Sequence, residues 1–242
     1  MVHGHIDMNG RKELKLLTID TSTTACSAAL SVDGKIRGES FLDGDKTSSV
    51  HLLTSICDLM RDAGLDVDGL DGIGVALGPG SFTGLRVGAA TAKGLALAAN
   101  KPVFGFSTLA MLALNLPYSA YPVCPMLDAR KNEVYTAIYN CDELPRVSVE
   151  DCVTTPGVFL DRIRESTLFV GSGAVRYREV IESKLGGKAI FPPCFCNQPR
   201  AAAGAMLTLH AFSMGKPVPP SLLNPYYIRP SEAEFKKMSR ND

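Results

Sequence analysis

Four residues that could hold a phosphate group and its magnesium ion follow the first apolar segment of the chain. Residues 14–20 form a mostly apolar run that ends in Asp20-Thr21-Ser22-Thr23. At a hairpin, the backbone N–H groups and hydroxyls of such residues can point at a phosphate, and the aspartate can bind a hydrated magnesium ion. The same residues are also typical of an Asx or Ser-Thr turn that only closes a hairpin. The sequence leaves both interpretations open.

A glycine-rich segment could hold an anion further along the chain. It runs Gly78-Pro79-Gly80-Ser81-Phe82-Thr83-Gly84, and its spacing is neither a Rossmann fingerprint nor a Walker A loop. Glycines at a helix N-terminus would let an anion approach the backbone. An ATPase or small-molecule kinase would also need a carboxylate and a second phosphate loop in the C-terminal half. The candidates there are Asp128 and Gly171-Ser172-Gly173, which are also compatible with ordinary turns.

The usual metal ligands and nucleophiles are poorly placed for catalysis. His51 has a serine, not a second ligand, four residues later, and His210 lies among apolar residues. The seven cysteines contain no Cys-x-x-Cys pair. Ser22, Ser81 and Cys26 have no histidine close by in the sequence. The residue pattern alone therefore identifies no nucleophile with its base and no metal site, and it leaves open a base that only the fold brings close.

The composition excludes several classes of protein. A formal net charge of zero and a pI near 6.9 argue against free-standing nucleic-acid binding, although contact with RNA inside an assembly remains compatible. The N-terminus lacks an apolar signal core, and prolines interrupt the uncharged residues 102–127, so we expect neither secretion nor a membrane span. With its cysteines read as reduced thiols, the chain is predicted to be cytoplasmic.

The elements that must position these residues belong to an α/β fold. Residues 14–116 show the order strand, strand, strand, helix, strand, helix, strand, helix, which predicts a hairpin-linked meander followed by parallel crossovers. A similar pattern of strands and helices restarts at Pro117. We therefore predict two lobes, residues 14–116 and 117–230, between flexible tails at 1–13 and 231–242.

Two predicted helices carry more apolar surface than one sheet needs to cover. Apolar residues occupy about half the circumference of the helix at 48–63. The helix at 81–99 has charge only at Arg86 and Lys93, which fall about 20° apart on its wheel. Small residues cluster on one of its faces, at Gly88, Ala92 and Ala99. The pattern fits either an interior helix of a layered domain or a helix that docks a partner protein.

Three segments resemble the TsaB (YeaZ) family of bacterial tRNA threonylcarbamoyladenosine biosynthesis proteins. They are Leu17-Thr18-Ile19-Asp20-Thr21-Ser22-Thr23, residues 78–99, and Asn224-Pro225-Tyr226-Tyr227-Ile228-Arg229. The resemblance covers residues 14–230. It implies an ASKHA (actin-like ATPase, RNase H-like) fold of two similar lobes, of which the second is degenerate.

The resemblance also implies a partner. Family members pair with the related catalytic subunit TsaD, which transfers threonylcarbamoyl from an AMP-linked intermediate to the adenosine beside the anticodon, and the ATPase TsaE completes the assembly. The central motif resembles TsaD as well, but Thr108 and Leu112 stand where that family has its His-x-x-x-His metal pair. Neither side chain replaces imidazole. The resemblance therefore implies a non-catalytic subunit and leaves an older label of the family, metallopeptidase (M22), without a chemical basis.

The resemblance further implies which residues act. The family docks through the helices at 48–63 and 81–99 and self-associates through the same faces, so a homodimer is expected when the chain is alone. The predicted contacts are Val50, His51, Leu53, Ile56, Met60, Gly84, Arg86, Gly88, Ala92 and Leu95. Asp20, Thr21, Ser22 and Thr23 become a vestigial nucleotide loop, with no cofactor required and at most weak binding of ATP or ADP with magnesium. We expect tRNA contact only through the complex; the alternative is a stand-alone ASKHA-fold ATPase or kinase.

Overall fold

Two five-stranded sheets organise the chain. The computed structural model describes residues 13–44 and 48–229, with only the backbone for Ser48–Val50. The tails predicted at 1–13 and 231–242 lie outside this part, apart from Glu13. None of the helices in the described residues combines the length and hydropathy that a membrane crossing requires.

The first sheet is a meander extended by parallel strands. Its strands are β1 (Lys15–Asp20), β2 (Ala25–Val32), β3 (Lys35–Asp43), β4 (Gly72–Gly78) and β5 (Val103–Ser107). The order across the sheet is β3-β2-β1-β4-β5. The pairs β1–β2 and β2–β3 are antiparallel, whereas β1–β4 and β4–β5 are parallel. Strands β1 and β2 are buried along their whole length, which explains their nearly continuous run of apolar and small residues.

The second sheet repeats the arrangement of the first. Its strands are β6 (Val123–Asp128), β7 (Val134–Cys141), β8 (Pro145–Thr154), β9 (Thr167–Val170) and β10 (Ala189–Ile190). Their order is β10-β9-β6-β7-β8, so in each sheet the third, second, first, fourth and fifth strands of the lobe lie side by side. The antiparallel and parallel pairs also correspond. This repetition confirms the prediction of two lobes with mixed sheets.

Helices cover both faces of the first sheet. The seven helices in the described residues are α1 (Ser48–Asp62), α2 (Phe82–Ala99), α3 (Thr108–Ala113), α4 (Pro156–Leu160), α5 (Ser172–Arg176), α6 (Arg178–Leu185) and α7 (Ala201–Ser213). Helices α1 and α2 touch each other and share one core with the inward residues of β1, β2 and β4. Alternate residues of β1 face the opposite side, where the Thr18 hydroxyl lies 2.9 Å from that of Thr208 in α7.

The position of α7 corrects the predicted division of the chain. Residues 117–230 were expected to form the second lobe, but α7 packs against β1, β2, β4 and β5 of the first sheet. After α7, the N–H of Val218 donates to the carbonyl of Val103, and Leu223 is buried in the first core. The chain therefore returns to the first lobe after about residue 200. Hydrophobic pattern alone cannot say which sheet an apolar helix covers.

Candidate functional site

The loop at residues 20–23 is closed by the beginning of α2. Asp20, Thr21 and Ser22 are buried, and Thr23 is partly exposed. The Thr21 hydroxyl donates to the carbonyl of Gly84 (2.7 Å), and the N–H of Ser81 donates to the carbonyl of Ser22 (2.7 Å). A Cβ at Gly84 would lie 1.9 Å from the Thr21 carbonyl oxygen. Position 84 therefore has no room for a side chain, and its glycine allows the loop and the helix to come into close contact.

Asp20 has an unusual environment inside this loop. Its Oδ1 accepts a hydrogen bond from the N–H of Ser22 (2.9 Å), but its Oδ2 is buried without a hydrogen-bond partner, and so is the Ser22 hydroxyl. Burial raises the pKa of Asp20 from 3.8 to about 6, and the hydrogen bonds from Ser22 and Thr21 oppose that rise only in part. A carboxyl group in this position destabilises the fold when it is ionised.

The candidate carboxylate and second phosphate loop of the ATPase or kinase alternative, Asp128 and residues 171–173, form hydrogen bonds and an ion pair with other residues of the chain. Asp128 Oδ2 forms an ion pair with Arg176 (2.8 Å), and its Oδ1 accepts from the N–H of Arg130 (3.0 Å). The N–H of Gly171 donates to Asn197 Oδ1 (2.8 Å). The Ser172 hydroxyl accepts from the N–H of Asp128 (3.2 Å). These groups hold the turns of the second lobe together.

The positions that correspond to the TsaD metal pair are filled by packing side chains. Thr108 and Leu112 are fully buried in α3, and Leu112 belongs to the core of the second lobe. The Thr108 hydroxyl has no hydrogen-bond partner. In the described part of the chain, no three histidine, cysteine, aspartate or glutamate side chains lie close enough together to hold a metal ion.

Most of the predicted docking residues face the interior of the first lobe. The structure buries Ile56, Met60, Gly84, Gly88 and Ala92, and packs the half-buried Leu95 against the same core. A Cβ at Gly88 would lie 2.6 Å from the Thr21 hydroxyl and 3.5 Å from Val75. The small-residue side of α2 therefore lets the helix approach its own sheet. The prediction that these buried residues contact a partner directly is therefore wrong.

The other predicted contacts have mixed positions. His51 is exposed, and the side chain of Leu53 is 50% exposed. The side chain of Val50 lies outside the described part of the chain. Arg86 is exposed, but its guanidinium stacks 3.7 Å from the Phe82 ring centre, and its Nε donates to the Tyr227 hydroxyl (3.1 Å). Among the members of the predicted set whose side chains are described, Leu53 is the exposed large apolar residue.

An outward surface nevertheless remains on the two helices. Because α1 and α2 lie side by side on one face of the first sheet, their solvent-facing sides form one continuous surface. The exposed residues that we group as the α1–α2 face are Leu53 and Cys57 of α1 with Ala90, Gly94, Leu97 and Ala98 of α2. These six residues are uncharged, and Leu97 is 67% exposed, but each stripe ends in an exposed arginine: Arg86 lies four residues before Ala90, and Arg61 four residues after Cys57. Of the six, sequence analysis identified only Leu53.

Gly94 carries the signal that could have identified this surface. Glycine in the middle of a helix costs about 1 kcal/mol relative to alanine. Among the described residues, a Cβ at Gly94 would meet nothing within 4 Å, so no neighbour in that part of the chain requires a glycine there. With Ala90 and Ala98 it forms a stripe of small residues four apart, on the side of α2 opposite Ala92. Such a stripe lets a second helix approach closely.

Comparison with protein families and curated proteins gives consistent matches. The family model described as "TsaD: tRNA N6-adenosine threonylcarbamoyltransferase" matches residues 43–201. The chain is similar to the tRNA threonylcarbamoyladenosine biosynthesis protein TsaB of Haemophilus influenzae, with 31% identity over 94% of this chain and 98% of that protein. It is 31% identical to TsaB of Escherichia coli, over 93% of this chain and 98% of that protein.

Comparison with solved structures agrees with these matches. YeaZ from Pseudomonas aeruginosa superposes with a TM-score of 0.77 at 28% identity, over 88% of this chain and 99% of that chain. The activator of 2-hydroxyisocaproyl-CoA dehydratase from Clostridium difficile has a TM-score of 0.50 at 11% identity, over 84% of this chain and 96% of that chain, which is a likeness of fold alone. The predicted ASKHA fold is confirmed.

Proposed function

The chain belongs to the TsaB family, and from this premise we propose that it is the non-catalytic partner of a TsaD-like subunit in the biosynthesis of threonylcarbamoyladenosine in tRNA. The TsaD-like subunit performs the transfer, and a TsaE-like ATPase joins the assembly. The tRNA is bound through the complex, in the cytoplasm. This chain's contribution is to dock on the catalytic subunit and organise it.

The observation that carries the proposal is the outward α1–α2 face, an apolar patch with Gly94 at its centre and with Arg61 and Arg86 at its borders. Exposed apolar surface on adjacent helices is typical of a protein interface, in which fully desolvated contacts dominate the affinity. Gly94 supports a close helix–helix contact because no residue in the described ranges 13–44 and 48–229 occupies the space beside it. In the absence of a TsaD-like subunit, the same face supports a homodimer.

The interior of the chain supports a role without catalysis. The buried Thr108 and Leu112 offer no imidazole to a metal ion, and Asp128 is paired with Arg176. The closed loop at residues 20–23 supports docking without a required nucleotide, so ATP or ADP with magnesium binds weakly if at all.

Co-purification tests the function most directly. We expect this chain to co-elute with a TsaD homologue, and we expect a tRNA modification assay with TsaD and TsaE homologues to lose most of its product when the chain is omitted. Calorimetry with magnesium-ATP on the isolated chain is the companion measurement. Micromolar binding with turnover, together with no co-elution, would favour the ATPase or kinase alternative.

A further inference from the structure

A short C-terminal segment, residues 224–229, connects the two lobes. It begins beside Leu223, which is buried in the first core. The N–H of Tyr226 then donates to the carbonyl of Leu77, at the end of β4 (2.7 Å). The Tyr227 ring lies 4.8 Å from that of Phe82 in the first turn of α2, and its hydroxyl accepts from Arg86.

The other end of this segment is fixed to the second lobe. Arg229 donates to the carbonyl of Ala129 (3.0 Å) and forms an ion pair with Glu133. Residues 129 and 133 bracket the β6–β7 turn, in which Arg130, Lys131 and Asn132 all have positive φ angles (58°, 51° and 60°). Three successive residues in this strained conformation persist only where surrounding contacts hold them, and Arg229 binds both ends of the turn.

We propose that residues 224–229 are a strap that couples the second lobe to the beginning of α2. The N-terminal turn of a helix lacks part of its hydrogen bonding and opens first. The strap opposes this opening because Tyr227 packs on Phe82 and binds Arg86. Through α2 it also sets the pose in which the α1–α2 face meets its partner, and this second part rests on the proposed function.

Two native thiols allow the coupling to be measured on the isolated chain. Cys57 in α1 and Cys194 in the second lobe are exposed, whereas the other five cysteines are buried or half-buried. Spin labels on this pair report the distance between the lobes; dilution with unlabelled protein removes signals between molecules. Hydrogen exchange at the amides of residues 86–90 and of Tyr226 reports the start of α2 and the strap itself.

Arg229→Ala is the test variant, and Arg176→Ala is its matched control. Arg176 also pairs with a carboxylate beside the same turn, Asp128, but does not touch the strap. We expect Arg229→Ala to broaden the distance distribution at least twofold and to accelerate exchange at these amides at least tenfold. Arg176→Ala should leave the amides of residues 86–90 and Tyr226 unchanged. If Arg229→Ala changes neither the distance distribution between the lobes nor the hydrogen exchange at these amides, the proposal that residues 224–229 are a strap is refuted.

Further variants keep the test decisive. If Arg229→Ala does not unfold cooperatively, Tyr227→Phe removes the acceptor for Arg86 but keeps the ring on Phe82, and exchange at residues 86–90 should still accelerate. Binding to a TsaD homologue should weaken about tenfold in Arg229→Ala. If Arg229→Ala broadens the distance distribution between the lobes but binds the TsaD homologue with unchanged affinity, the link between strap and docking is refuted. The proposed function is then left intact. A wild-type chain that binds no TsaD homologue would refute the proposed function. The distance and hydrogen-exchange measurements on the isolated chain would still show whether residues 224–229 couple the second lobe to α2.

Discussion

Arginine in place of Ala90 will weaken binding to a TsaD homologue at least ~30-fold, which corresponds to about 2 kcal/mol. Ala90 is exposed on α2 in the middle of the α1–α2 face, so the larger side chain meets solvent in the isolated chain and a partner helix in the complex. A buried charge without a partner is costly at such an interface. Size-exclusion co-elution and a titration by calorimetry measure the loss.

Three matched variants separate docking from folding. Val158→Arg places the same charge on α4 of the second lobe, where Val158 is 58% exposed, and should leave affinity unchanged. Ala92→Arg puts the charge into the first core, so a loss of co-elution there would report unfolding. Gly94→Ala is the most informative of the three. It should raise the free energy of unfolding by up to about 1 kcal/mol and still weaken docking.

The result that contradicts the α1–α2 face is specific. If Ala90→Arg and Gly94→Ala both bind the TsaD homologue as tightly as the wild-type chain does, with cooperative unfolding preserved, docking uses another surface. Equal losses for Ala90→Arg and Val158→Arg would point to a general effect of added charge.

Asp20 will contribute a loss of stability as the pH rises from about 4 to 6, and Asp20→Asn will remove this contribution. The pKa of Asp20 is raised from 3.8 to about 6 by burial, so the folded state keeps the proton through a range in which the unfolded chain has lost it. The contribution of Asp20 to the free energy of unfolding therefore decreases across this range and stays lower above it. A difference of about two pKa units corresponds to about 3 kcal/mol.

The measurement compares wild-type and Asp20→Asn unfolding in urea at pH 4 and pH 8. The stability of the variant relative to wild type should improve by about 2.5 kcal/mol between these two pH values, whatever the amide itself costs. Ser22→Ala is a companion variant that keeps the carboxyl group but removes a hydroxyl that opposes the rise in the pKa of Asp20, so its pH dependence should be at least as large as that of the wild-type chain. A variant whose pH dependence equals that of the wild-type chain would show that Asp20 does not titrate in this range.

The same variant also bears on the nucleotide loop. A carboxylate that only destabilises the fold can be replaced without loss of TsaD binding. A different result is that the wild-type chain binds magnesium-nucleotide weakly and Asp20→Asn does not bind it at all. In that case the buried Oδ2 of Asp20 has a ligand-binding role, which explains why the fold tolerates the loss of stability that the carboxylate causes.

The sequence by itself determined the elements and their repetition. Apolar runs located both meanders, and local chemistry also starts the helices that follow, where the Ser81 and Ser107 side chains accept hydrogen bonds from the first turns of α2 and α3. The family and its fold followed from local motifs with specific spacing. Such features are encoded within a few residues of each other, where propensity and hydrogen-bonding chemistry act directly.

Only the tertiary structure decided which sides of the helices face outward. Helix α2 is apolar or small around most of its circumference, so periodicity cannot distinguish the side against β4 from the side open to a partner. Contact with Thr21 and Val75 places Gly88 inside, and the empty space beside Gly94 places that residue outside. The return of α7 to the first sheet and the reach of Arg229 to the second depend on contacts between residues about 100 or more positions apart. No local pattern encodes those contacts.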